Sequence, residues 1–187
     1  MKTKITVKGI VFSALFAALL IVSSYLNIHL GFSPIPISLQ NFVIMITGVL
    51  LGPLYGFIAI ALVIVLTALG LPLLHGSGGL PLVLGPTGGF IWMYPFAALL
   101  IGLVSKRIKG SGPVAVVLLF LTLELFGSLL LYVTGVPWFA HTSGMPLQKA
   151  FALSCTPFLP GDAVKAAVAA LVTIPIRRVF PLSRITG

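Results

Sequence analysis

Apolar residues run through this chain in long blocks, and polar residues fall between the blocks instead of alternating within them. Blocks of that length lack the two-residue period of a half-buried strand and the polar face of a surface helix. They predict helices surrounded by apolar material on every side. A helix of roughly 20 mostly apolar residues crosses the hydrocarbon of a bilayer. The blocks at about 9–27, 37–51, 54–71, 89–104, 113–133 and 160–176 therefore predict six transmembrane helices, an all-α fold with one membrane domain over 1–187. The breaks between blocks differ in kind. His29 to Pro36 is a short proline-bearing link, Gly52-Pro53 a tight turn, 105–112 a basic link, and 134–159 the longest connection. Residues 72–88 (PLLHGSGGLPLVLGPTG) are rich in Gly and Pro yet uncharged. Peptide groups in such a segment cannot face lipid unpaired, so it is expected to pack on protein as a lid or re-entrant loop. The basic start resembles a signal peptide, but the apolar stretch is too long and no small-residue cleavage site follows, which predicts a retained first helix.

Composition strengthens this picture. The chain is 59% hydrophobic and only 7% charged, with a mean hydropathy of +1.22. Soluble domains average about 25% charged residues, so lipid is the expected solvent. The net charge of +9, from 11 cations against 2 acids, would suggest nucleic acid if the cations were spread along the chain. They are not: Lys2, Lys4 and Lys8, then Lys106, Arg107 and Lys109, then Arg177, Arg178 and Arg184 each flank an apolar block. Such clusters mark the cytoplasmic ends of membrane helices, and all three agree with cytoplasmic N- and C-termini and an even number of spans in the plasma membrane. The expected partner is the bilayer and not nucleic acid. The external links are then the long ones, and they carry His29, His75 and His141. The single Cys155 excludes an intrachain disulfide.

The ionisable residues inside the blocks carry the candidate chemistry. Asp162 and Lys165 open the last block in the run PGDAVKAA, three residues apart and so on one helix face. A charge at the centre of a membrane helix costs roughly 2.5–3.5 kcal/mol, less toward the interface. Two readings fit: a mutual ion pair that caps the helix, or a site in an outward cavity for a small ligand with N–H donors beside a carbonyl. Glu124 lies mid-block, expected to be neutral or hydrogen-bonded inside the bundle. Small residues four apart recur in the first block, at Ser13/Ala17 and Ala14/Ala18, and let another helix approach closely. Enzyme readings fail. His75-Gly76-Ser77-Gly78-Gly79 is poor triad geometry, the histidines have no metal-site spacing, and no P-loop motif is present, so any energy for transport comes from a partner.

Four segments, PIPISLQNFVIMITGVLLGP at 34–53, GLPLLHGSGGLPLVLGPTGGF at 70–90, YVTGVPWF at 132–139 and PFLPGDAVKAA at 157–167, occur in order over most of the chain. In these the chain resembles the BioY family, the biotin-specific substrate-binding subunits of energy-coupling factor transporters. The resemblance implies a six-helix fold binding biotin near the outer leaflet, with no catalytic residue, metal or cofactor. It also implies a complex with a membrane coupling protein and two ATP-binding-cassette ATPases. Asp162 and Lys165 would contact the ligand, with Lys165 on either the ureido carbonyl or the valerate carboxylate. Gln40, Gly85, Thr87, Gly88 and Gly89 are further pocket candidates. Trp92, Tyr94 and Trp138 can pack on the bicyclic ring or anchor the chain at the interface. Ala14 and Ala18 match the surface such subunits offer to the coupling protein. Where relatives commonly show a Phe-Ala-Gly-Gly-like bend, this chain has Leu74-His75-Gly76-Ser77.

Overall fold

The computed structural model describes residues 5–28, 31 and 37–182. Most of the link at 29–36, with His29, lies outside them, as do Lys2, Lys4 and Arg184.

Helix α1 spans Val7–Ser24. Its N-terminus is capped by Thr6, whose hydroxyl accepts from the Gly9 N–H at 3.1 Å. Gly9, Ser13, Ala17, Leu20 and Ser24 form its buried stripe, and Ile10, Val11, Leu15 and Val22 its exposed, lipid-compatible side. Gly9 is required because the Tyr55 ring lies where its side chain would be: a methyl there would sit 2.1 Å from Cζ. A two-residue antiparallel pair, β1 (Asn27–Ile28) with β2 (Ile37–Ser38), brings the chain to the next helix.

Helix α2, Gln40–Ala68, holds both the second and third predicted blocks. Gly52 breaks it, with φ 72° and ψ −172°, immediately before Pro53. That backbone is open essentially only to glycine. The two halves, 40–51 and 53–68, fold back on each other. A methyl on Gly56 would lie 3.4 Å from the Gly48 Cα, whereas eight residues of unbroken helix separate by about 12 Å. Helix α4 (Gly88–Ser105) packs into this hairpin. A methyl on Gly48 would lie 2.8 Å from the Ala98 carbonyl oxygen, and one on Gly102 2.4 Å from the Pro53 nitrogen. Small residues at such seams let backbones approach, which is how helices gain packing where lipid supplies no hydrophobic drive.

Between α2 and α4 the Gly/Pro-rich segment is folded and held. Leu74 bridges Ser77, the one-turn helix α3 (Leu80–Val83) follows, and Leu74 and Val83 are fully buried. The Gly79 N–H donates to the Thr67 carbonyl at 2.7 Å, and the Ser24 hydroxyl donates to that of Leu73 at 3.0 Å. The expected loop packed on protein is found here.

Helix α5 (Pro113–Glu124) runs through a π-helical turn, Leu125–Leu129, into α6 (Leu130–Thr142). This corrects the expected end of the fifth block at 133 and the loop assigned to 134–159. Gly135 and Pro137 stay inside the helix, because Gly135 makes room for the Phe90 ring, 2.2 Å from where its side chain would begin. His141 is accordingly helical, and the connection shortens to α7 (Leu147–Ser154) and its flanks before α8 (Leu159–Val179).

Among the described residues, five helices are long and apolar enough to cross a membrane: α1, α2, α4, the joined 113–142 and α8. The six expected blocks map onto these five because two of them lie within α2. Among the described cations, Lys106, Lys109, Arg177 and Arg178 gather at one end, beside the Gly52 turn.

Candidate functional site

The opposite end holds a cavity of about 90 Å³ among α2, the 72–88 segment, α4, the π-helical turn, α6 and α8. Its centre is Asp162, 5% exposed in the first turn of α8. A buried carboxylate is stable only when its lone pairs are filled, and four donors, one each from α2, the π-helical turn, α6 and α8, fill them. On Oδ1, Asn41 Nδ2 donates at 2.8 Å and Lys165 Nζ at 3.0 Å. On Oδ2, the Ser128 hydroxyl donates at 3.1 Å and the Tyr132 hydroxyl closes the set with a short bond. Lys165 also donates to Asn41 Oδ1 at 3.0 Å, so Asn41, Asp162 and Lys165 form a closed triangle.

Local structure explains each placement. Asp162 and Lys165 share a helix face, as their spacing predicts. Ser128 and Tyr132 are four residues apart across the end of the π-helical turn, a distortion often found at functional sites. Tyr132 is further fixed edge-on to Phe90, with ring centroids 6.1 Å apart. Asn41 is in the first turn of α2, and its own Oδ1 accepts from the Phe42 N–H at 3.1 Å.

Gln40 supplies the free hydrogen-bonding capacity. Its Oε1 accepts from the Ser38 and Tyr94 hydroxyls, each at 3.4 Å. Its Nε2 is buried with no hydrogen-bond partner among the described residues, although Gln40 lines the cavity. A buried unpaired amide donor costs about 1–3 kcal/mol, and an acceptor on a ligand would satisfy it. Leu74, Phe90, Ile91, Leu131 and Phe158 supply the apolar wall. Hydrogen-bonding groups on one side and an apolar wall on the other give a pocket whose chemistry can pair with the N–H and carbonyl groups of an amide or urea.

Of the predicted site residues, Asp162, Lys165, Gln40 and Thr87 line the cavity, and so do Tyr94 and His75. The others do not. Trp92 is 44% exposed and turned outward, with its indole N–H donating to the Val83 carbonyl at 2.8 Å. Gly85 accepts from the Trp138 indole at 2.9 Å. Gly88 and Gly89 allow the α4 backbone to reach Val83 and Trp138, where a methyl would come within 2.3 Å in each case. These glycines and tryptophans hold the 72–88 segment on α4 and α6. Asn41, Ser128 and Tyr132 are the site residues that sequence reasoning missed. Their signal is polarity inside otherwise apolar blocks. Among the described residues no group of His, Cys, Asp and Glu can hold a metal ion.

Midway along α1, Ser13 and Ala17 face the bundle while Ala14 and Ala18 are exposed. The two small-residue pairs therefore divide between internal packing and an outer face.

Comparison with known proteins gives one consistent result. The model of the BioY family matches residues 1–182. The chain is 39% identical to "Biotin transporter BioY" of Rhizobium etli over 180 residues, 94% of this chain and 96% of that protein. It is 39% identical to "Probable biotin transporter BioY" of Pyrococcus horikoshii over 160 residues, 85% and 90% of the two chains. A crystal structure of the S-component for biotin from an ECF-type ABC transporter superposes with a TM-score of 0.89 at 33% identity, covering 98% of this chain and all of that one.

Proposed function

The chain belongs to the BioY family, and on that footing we propose that it is the biotin-binding subunit of a vitamin uptake transporter in the plasma membrane. It captures biotin with high affinity at the outer face. It delivers the ligand inward with a membrane coupling protein and two ABC-type ATPases that supply the energy. The observation that carries this reading is the Asn41–Asp162–Lys165 triangle beside the unpartnered Gln40 amide. Biotin's ureido ring presents two N–H donors and one carbonyl, and these groups answer both requirements. Asp162 already holds four donors, so a ureido N–H enters by displacing one of them. Lys165, on the most flexible side chain of the four, is the donor that moves, to the ureido carbonyl or to the valerate carboxylate. Gln40 Nε2 meets a second acceptor, and Thr87, at the foot of the lid segment, closes the wall.

The architecture follows the same reading. The halves of α2 are separate spans joined at Gly52, giving six in total, with both termini on the cytoplasmic side where the cations gather. The exposed Ala14–Ala18 face receives the coupling protein. The test is biotin binding by calorimetry with detergent-purified protein in the absence of ATP, together with its Asp162→Asn and Lys165→Ala variants. The parent binds biotin, and each variant weakens binding by at least about tenfold, the loss of one charged hydrogen bond. Parent-like binding in both variants would remove the site assignment. Binding of thiamine or riboflavin in preference to biotin would remove the ligand.

A further inference from the structure

The end of the molecule opposite the biotin cavity carries a second cavity, of about 270 Å³, between the link after α4 and the last turns of α8. Four of its lining residues are cations: Lys106, Lys109, Arg177 and Arg178. The two arginines are anchored to the neighbouring link. Arg177 Nη2 donates to the Ser105 and Ile108 carbonyls at 3.1 and 3.3 Å, and Arg178 donates to the Ser111 hydroxyl. Both guanidiniums are thereby tethered to the link that bears the two lysines. The chain's two acids lie elsewhere: Asp162 is in the biotin cavity, and Glu124 is in α5 and does not line this one. Lys106, Lys109 and Arg178 are exposed and Arg177 is half-buried, so solvent screens part of their mutual repulsion, and an anion among them would offset the rest.

The surroundings specify the kind of anion. Ile108 and Ile174 line the same cavity, and Val179 and Phe180 are exposed beside it. An adjoining hollow of about 160 Å³ shares Lys106 and Arg177 but is otherwise walled largely by Val49, Leu50, Pro181 and Leu182. A charged mouth continuous with an apolar recess fits an amphiphile. We propose that this cavity binds the phosphate of an anionic phospholipid from the leaflet at that face. Basic pockets between helix ends at the membrane surface have the chemistry for such headgroups, each Lys or Arg contributing about 1 kcal/mol.

The experiment is native mass spectrometry of the full chain, delipidated in detergent and offered phosphatidylglycerol, phosphatidylcholine or inorganic phosphate. Phosphatidylglycerol is expected to stay bound at collision energies that strip phosphatidylcholine. The double variant Lys106→Gln/Lys109→Gln is expected to weaken that retention at least about tenfold. Lys149→Gln, on α7, is expected to leave it unchanged, and unaltered biotin binding by all three proteins shows that they are folded. Equal retention of the two lipids, or parent-like retention in the double variant, overturns the proposal. Inorganic phosphate binding as tightly as the lipid also overturns it, in favour of a soluble anion. So does unchanged lipid retention with loss of co-purifying coupling subunits, which would give the surface to a protein partner.

Discussion

At the scale of single residues, the saturated Asp162 carboxylate makes the hydroxyls around it as consequential as its charged neighbour. Tyr132→Phe removes one donor from a buried carboxylate, which costs about 1.5–3 kcal/mol. The variant is expected to lower the thermal unfolding midpoint in detergent and to alter biotin affinity, whereas Trp92→Phe leaves affinity unchanged; calorimetry on both checks the pair. Cys155 offers an independent probe. Burial, and after it the Asp162 charge, pushes its thiol up from the ordinary value. A raised thiol pKa means less thiolate at neutral pH, so alkylation is expected to be slow at pH 7.5 and to accelerate on unfolding, measured by intact mass. The acid–base pair was legible in the sequence because ionisable residues in an apolar block have few cheap alternatives. Ser128 and Asn41 were not legible. A small polar residue in a membrane helix commonly bonds its own backbone, as Thr47 and Thr67 do here to carbonyls four residues back at 2.6 and 2.7 Å. Which polar residues instead turn inward depends on helix rotation, and the π-helical turn sets that rotation for Ser128 and Tyr132.

At the scale of elements, the lid and the helices beneath it are joined through glycines whose work is steric. A methyl on Gly89 would lie 2.3 Å from Trp138 Cβ and 2.8 Å from the Thr134 carbonyl oxygen. Gly89→Ala is therefore expected to destabilise the fold by about 1–3 kcal/mol, the usual cost of overpacking, read as a lower unfolding midpoint. The same packing explains why helix α6 was not legible. Gly135 and Pro137 read as breakers in a local pattern, but Phe90 from α4 fills the space that Gly135 leaves. The core of each apolar block was legible because length and hydropathy are properties of the block itself. The divided roles of the small-residue pairs on α1 give a further test. Ala14→Leu/Ala18→Leu is expected to abolish assembly with the coupling protein in pull-down while leaving biotin affinity within about twofold, because neither residue lies near the cavity.

At the scale of the whole molecule, Lys106, Lys109, Arg177 and Arg178 at one end and the cavity around Asp162 at the other make the two ends of the bundle chemically different. The break in α2 at Gly52 governs that arrangement. Cysteines introduced at Ser111 and Ser143 are expected to react with an impermeant maleimide only from the inner and outer face respectively, with buried Cys155 as the silent background. A Gly52→Val variant would remove the one backbone conformation that turns the chain round at that point. Residues 40–68 would then be offered to the insertion machinery as a single 29-residue stretch, about 43 Å of helix for a hydrocarbon layer of about 30 Å. Every later segment would have to emerge on the wrong side, or Lys106 and Arg107 would be dragged against the rule that retains them inside. On the six-span topology proposed above, one φ angle thus sets the parity of the chain, and with it the compartment from which the vitamin would enter.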